Sequence, residues 1–252
     1  MKKLFLLLAA AMLLGAGLWS CGKDDDNNNE GTGNTYVDPN PQNPGDDPQP
    51  QPQPQPEGDW VDLGLPSGLL WATRNVGATS PEDYGNYYAW GETEPKSFYS
   101  WSTYAYGNAY NQLTRYCTQS AYGDESYTDD CTILLPGDDA AAANVGNGAR
   151  TPTKDEWQEL IDNTTFTWTS MNGVHGGQFT ASNGNSLFLP ATGNFWDDEV
   201  HYAGDYGNYW SSSLYINNPG DAWSFGISGA LQDVDRDSRY VGHSVRAVRQ
   251  GN

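Results

Sequence analysis

Trp60-Val61-Asp62-Leu63-Gly64-Leu65-Pro66-Ser67-Gly68-Leu69-Leu70-Trp71-Ala72 is the stretch from which the fold is first read. Two apolar runs, Val61 to Leu65 and Leu69 to Ala72, flank Pro66-Ser67-Gly68. Proline presets one turn dihedral and glycine takes a positive φ freely, so the runs are expected to pair as a hairpin. A second hairpin is signalled by Asn183-Gly184 between Gln178-Phe179-Thr180 and Leu187-Phe188-Leu189. Tyr209 to Tyr215, Ala222 to Ile227 and Ser244 to Val248 read as late strands. Asp83-Tyr84-Gly85-Asn86-Tyr87-Tyr88 echoes Asp205-Tyr206-Gly207-Asn208-Tyr209-Trp210, which suggests two similar strand starts rather than a repeat.

Regular helix is scarce. Its clearest signal is Thr151-Pro152-Thr153-Lys154-Asp155-Glu156-Trp157, where Thr153 suits an N-cap and Glu156, three later, completes a capping box. Trp157, Leu160 and Ile161 then share one helical face, and Asn163 closes it. Trp71, Trp90, Trp157, Trp210 and Trp223 lie in these patterns and are expected in the core.

Several of these segments carry a resemblance. Trp60 to Gly68, Trp71-Ala72-Thr73, Asn75 to Ala78, Tyr88-Ala89-Trp90-Gly91-Glu92-Thr93, Arg150 to Trp157, Leu187 to Gly193, Tyr209 to Ser213 and Ser244 to Arg249 resemble the Fibrobacter succinogenes major paralogous domain. The resemblance spans nearly all of residues 58–252. It implies an α+β, C-type-lectin-like fold of short, mixed, mostly antiparallel strands with one or two helices and long aromatic-rich loops. It implies no single ligand or activity.

Ahead of that domain the chain changes character twice. Lys2-Lys3 and the apolar run Leu4 to Leu18 form a signal peptide over 1–20, too short for a spanning helix, which needs about 20 apolar residues. Leu18-Trp19-Ser20-Cys21 resembles a bacterial lipobox, which implies cleavage before Cys21 and acylation of its sulfur and new amino group. Gly22-Lys23-Asp24-Asp25-Asp26 resembles the export signal of Bacteroidetes surface lipoproteins; the other readings are a solvated acidic tether and the inner leaflet of the outer membrane. From Asn27 to Glu57 the composition is mostly Asn, Gly, Asp, Pro and Gln, with alternating Gln-Pro near its end. Such a segment buries too little apolar surface to offset its ordering entropy, so 21–57 is read as a disordered stalk with an extended, semi-rigid end.

The net charge of −20, with 32 acids against 12 bases, argues against nucleic acid as a partner, because phosphate recognition needs a basic face. The membrane is then a partner only through the lipid. Besides Cys21 there are Cys117 and Cys131, and in an exported protein these are expected to form a disulfide, the alternative being two separate buried thiols.

No catalytic set assembles from the sequence. His175, His201 and His243 are widely separated, and no nucleophile elbow, phosphate loop or zinc-helix motif is present. Arg150-Thr151-Pro152-Thr153 with Glu156-Trp157 also resembles formylglycine-generating enzymes, but their late cysteine pair has no counterpart after Cys131. A helix cap with Trp157 in the core accounts for the motif instead, and the chain is read as non-enzymatic. Asp233, Asp235 and Asp237 alternate in a way that suits either a calcium ion or a solvated strand or turn, where Arg236 and Arg239 could answer them. No other cofactor is expected.

Aromatic side chains remain as the functional lead. Tyr104, Tyr106 and Tyr110 fall in an Asn/Gly/Ser-rich loop, and Trp196 stands beside Asp197, Asp198 and Glu199. These four are the candidate stacking residues of a ligand site, with local packing as the other reading of each. The functional expectation is a surface-displayed outer-membrane lipoprotein whose lectin-like module binds a glycan or a host or neighbouring-cell protein. The alternative is a structural envelope or fibre-accessory component.

Overall fold

The computed structural model describes residues 59–251. The expected signal peptide, Cys21 and stalk lie outside the described residues. Within them the chain is mixed α+β, mostly strands with two helices. β1 (Trp60–Asp62) pairs antiparallel with β2 (Leu69–Asn75), with Val61 opposite Trp71. Gly68 N–H donates to Leu65 C=O at 2.9 Å and closes the expected turn.

After β3 (Tyr87–Tyr88) a long stretch carries only short 3₁₀ turns before α1 (Ala140–Val145). This helix was not legible in advance, since six residues show no periodicity. Asp139 makes it: its carboxylate accepts from Ala141 N–H at 2.9 Å and Ala142 N–H at 3.3 Å. α2 (Lys154–Asn163) follows as read, with both halves of the Thr153/Glu156 capping box formed.

β4 (Thr164–Met171), β5 (Val174–Ala181) and β6 (Ser186–Pro190) make one antiparallel sheet. β4 had not been anticipated; its residues are only half-buried or exposed and do not alternate cleanly. β7 (Asn194–Trp196) and β8 (Glu199–His201) form a separate hairpin. β9 (Tyr206–Leu214), β10 (Asp221–Ser228) and β11 (Gln232–Ser238) join β12 (His243–Ser244) and β3 in a five-stranded sheet ordered β11-β10-β9-β12-β3. The predicted last strand is broken at Val245: β12 stays in that sheet, while β13 (Arg246–Gln250) crosses to pair with β2.

The echoed segments do begin two strands, and β12 lies between them. Ser244 is opposite Tyr87 of β3 on one side and Tyr209 of β9 on the other. Two indoles lock the arrangement, Trp210 Nε1 donating to Tyr88 C=O at 2.7 Å and Trp90 Nε1 to Ser211 C=O at 2.8 Å.

α2 drives Trp157 into the core, stacked on Phe225 at 4.5 Å and tilted against Trp71 at 4.9 Å. Losing such a ring costs about 3–5 kcal/mol. Trp71, Trp90, Trp157 and Trp210 are all buried. Trp223 is only half-buried, because its β10 position turns it out toward Tyr215 and Lys154.

Candidate functional site

The four expected contact aromatics do not form one site. Tyr104 is 5% exposed and belongs to the core. Its hydroxyl donates to Trp90 C=O and accepts from Arg239 Nε, both at 2.8 Å. Arg239 is fully buried, with its guanidinium 4.9 Å from the Trp90 ring centre and bonded to the carbonyls of Arg115, Tyr116 and Pro219. A buried cation without carboxylate partners needs such a cage, and Tyr104 is one of its walls. Tyr106 is half-buried and donates to Asp138 at 2.9 Å, beside Tyr116 and Arg115, which bond the same carboxylate. Burial, then the Asp138 bond, pushes its phenol up to about 12. Tyr110 is 58% exposed and meets Tyr122 edge-on at 6.3 Å.

Trp196 is different. In the β7–β8 hairpin Asn194 faces His201, Phe195 faces Val200 and Trp196 faces Glu199. Side chains alternate along a strand, so Asn194, Trp196, Glu199 and His201 share one face and Phe195 takes the other. Phe195 packs inward on Tyr99 at 4.9 Å and Tyr87 at 5.7 Å. Backbone bonds pin the hairpin: Phe195 exchanges a pair with Gly242, and Asp197 a pair with Tyr99. Gly193 permits the close approach, since a Cβ there would lie 2.0 Å from His201 C=O.

On the outward face the Trp196 and His201 rings stack at 3.5 Å and 4°. Tyr202, which turns at φ 59, sets its ring 5.8 Å from Trp196, and Tyr206 follows at 6.0 Å from Tyr202. Tyr202 is 59% and Tyr206 46% exposed. The result is a continuous aromatic surface on a pinned hairpin. Asp197, Asp198, Glu199 and Asp205 are exposed around it, and no Lys or Arg occurs between Lys154 and Arg236. Asn194 Oδ1 and His201 Nε2 are buried there without hydrogen-bond partners; Glu199 stands 3.7 Å from the imidazole. Sequence reasoning found Trp196 and missed His201, Tyr202 and Tyr206. The signal was four rings within eleven residues, interleaved with four acids.

Asp233, Asp235 and Asp237 lie on β11, the sheet's edge, and share one face. Alternate strand residues are about 6.6 Å apart, too wide to converge on a cation that takes oxygens at roughly 2.3–2.6 Å. Among the described residues no group of three or more His, Cys, Asp or Glu is arranged to hold a metal. Asp237 instead bonds His243 Nε2 at 3.0 Å; burial by itself would raise its carboxyl, but His243 and the Ser238 N–H together more than offset this and lower its pKa. Arg236 leans toward Asp221 and Arg239 is buried, so neither arginine answers the three carboxylates.

The expected Cys117–Cys131 bridge is not made. Cys117 is a free, buried thiol that donates to Gln119 C=O at 3.2 Å. Asp129 does the joining instead, its carboxylate accepting from the backbone N–H of Tyr116, Cys117 and Cys131. The Arg150-Thr151-Pro152-Thr153 motif is tied up structurally. Arg150 forms a bidentate pair with Glu156, Thr151 bonds Asp139 and Thr153 caps α2. Known protein families, curated proteins and solved structures give no match to this chain.

Proposed function

We propose that the chain is a lipid-anchored outer-membrane protein, displayed at the cell surface, whose C-type-lectin-like domain is a non-enzymatic binding module for glycan. The observation that carries the reading is the Trp196–His201–Tyr202–Tyr206 surface with its surrounding carboxylates. Flat rings cover the apolar face of a sugar, while the surrounding exposed carboxylates take its hydroxyls. The lectin-like fold is supported by short strands, two helices and a long irregular stretch between β3 and α1. The anchor rests on Leu18-Trp19-Ser20-Cys21 and the stalk on residues 21–57.

The test is a glycan array probed with the full chain and with Trp196→Ala, Tyr202→Ala and Tyr206→Ala. The expected result is binding to neutral glycans that each substitution reduces, with the thermal midpoint of the Tyr202 and Tyr206 variants nearly unchanged. An array without any signal returns the chain to the reading of a structural envelope component.

A further inference from the structure

β9 leaves the register of β10 over three consecutive serines. Ala222 pairs with Leu214 and Ser224 with Trp210, so Ser211-Ser212-Ser213 stand opposite the single residue Trp223, a bulge with two residues in excess. The bulged chain finds other backbone partners: Ser212 N–H donates to Pro152 C=O at 2.8 Å, and Ser212 C=O accepts from Leu134 N–H at 2.9 Å. Two hydroxyls are used at once. Ser211 Oγ accepts from Ser213 N–H at 3.1 Å, and Ser213 Oγ accepts from Lys154 N–H at 3.2 Å, at the start of α2. Ser212 is 2% exposed and its hydroxyl has no partner.

Ser212 lines an open cleft of about 490 Å³ between residues 133–136, α1 and the turn at 146–150. That volume is within the usual range for ligand sites, roughly 300–1,000 Å³. Ile133, Leu134, Pro136, Ala142 and Ala149 make most of the wall apolar. The charges at its rim are already engaged, Arg150 with Glu156 and Asp139 with Thr151 and α1. Ionic ligands therefore find no free counter-charge, and with Thr153 engaged as the α2 cap only Ser212 and Asn147 offer polar side chains on a mostly apolar wall, which is little for a sugar.

One wall offers an exposed peptide edge. Ile133 bridges Ser213 antiparallel, but the bonds run from Leu134 N–H to Ser212 and from Leu214 N–H to Thr132. In that pattern the N–H and C=O of Ile133 point away from β9, and neither is bonded among the described residues. Gly146 and Gly148, which line the same cleft, have nothing within 4 Å of where a Cβ would stand, which leaves room for a main chain to approach.

We propose that this cleft docks an extended, uncharged peptide segment of a partner protein. The segment adds to the Ile133 edge, inserts an aliphatic side chain toward Leu134 and Ala142, and bonds Ser212 Oγ. This site is separate from the aromatic surface and does not depend on it.

The test pans a phage-displayed library of random heptapeptides against the full chain, then measures selected peptides with blocked termini by fluorescence polarisation. Selected peptides should share an aliphatic residue with uncharged neighbours. Ala142→Trp, which fills the cleft from a partly exposed helix position, should abolish their binding. Ser212→Ala should weaken it about three- to tenfold. Its thermal midpoint should be unchanged or raised, because the lost hydroxyl has no partner. Trp196→Ala should bind as the parent does. Failure to select any peptide, or peptides that bind Ala142→Trp and Ser212→Ala undiminished, would overturn the proposal.

Discussion

Asp139→Ala should be among the most damaging single changes in the domain, although the residue touches no aromatic core. Its Oδ1 accepts from Ala141 N–H, Ala142 N–H and Thr151 Oγ1–H, and its Oδ2 accepts from Thr151 N–H at 2.8 Å. Burial pushes this carboxyl above its ordinary pKa, while the same four donors pull the other way. Removing it takes the N-cap from α1, worth about 1 kcal/mol. It also strands two donors on buried Thr151, each costing about 1–3 kcal/mol. The helix N–H groups border the open cleft and can rehydrate, so the loss should be roughly 4 kcal/mol. Against a typical domain stability of about 5–15 kcal/mol that is a large fraction. For a domain of this size it lowers the thermal midpoint by roughly 8–16 °C. Asp139→Asn keeps an oxygen for three of the bonds but turns an amide N–H toward Thr151 N–H, and should lose about half as much. Urea unfolding followed by tryptophan fluorescence, with calorimetry alongside, measures both variants. A loss below about 1.5 kcal/mol for Asp139→Ala would refute the claim that this carboxylate joins α1 to the start of α2.

The Glu156 carboxyl would be raised by burial, but Arg150 and the Thr153 cap more than offset this and hold it below 4.5. A depressed folded pKa gives stability that is present above the unfolded value and lost as pH falls toward the folded one. Stability measured by urea unfolding should therefore decline as pH drops below about 4.5, and Glu156→Gln should flatten that decline; an identical pH profile for the variant would refute the assignment. Cys117, as a free thiol, should be alkylated by iodoacetamide after unfolding without reductant. A non-reduced peptide linking Cys117 to Cys131 in mass spectra would contradict the structure.

Local chemistry settled much of the fold before any contact was known. The Thr153/Glu156 box, the turn at Pro66-Ser67-Gly68 and the Asn183-Gly184 turn each depend on residues within a few positions, and each formed as read. Trp196 beside its three acids was legible for the same reason, but the rings of His201, Tyr202 and Tyr206 that join it were not. What required tertiary structure was decided by partners far away in the chain. Tyr104 has the same polar-loop neighbours as Tyr110, yet it is buried because Arg239, 135 positions later, uses its hydroxyl. Six alanine-rich residues became α1 because Asp139 caps them while holding Thr151. The last strand split at Val245 because two sheets needed pairing at once, one from β12 and one from β13. Cys117 and Cys131 are close enough to share one carboxylate, yet Cys117 turns its sulfur to Gln119. Sequence proximity carried caps, turns and the composition of the surface, because those energies are local. Burial, sheet exchange and the serine bulge that floors the cleft are non-local, and only the assembled chain determined them.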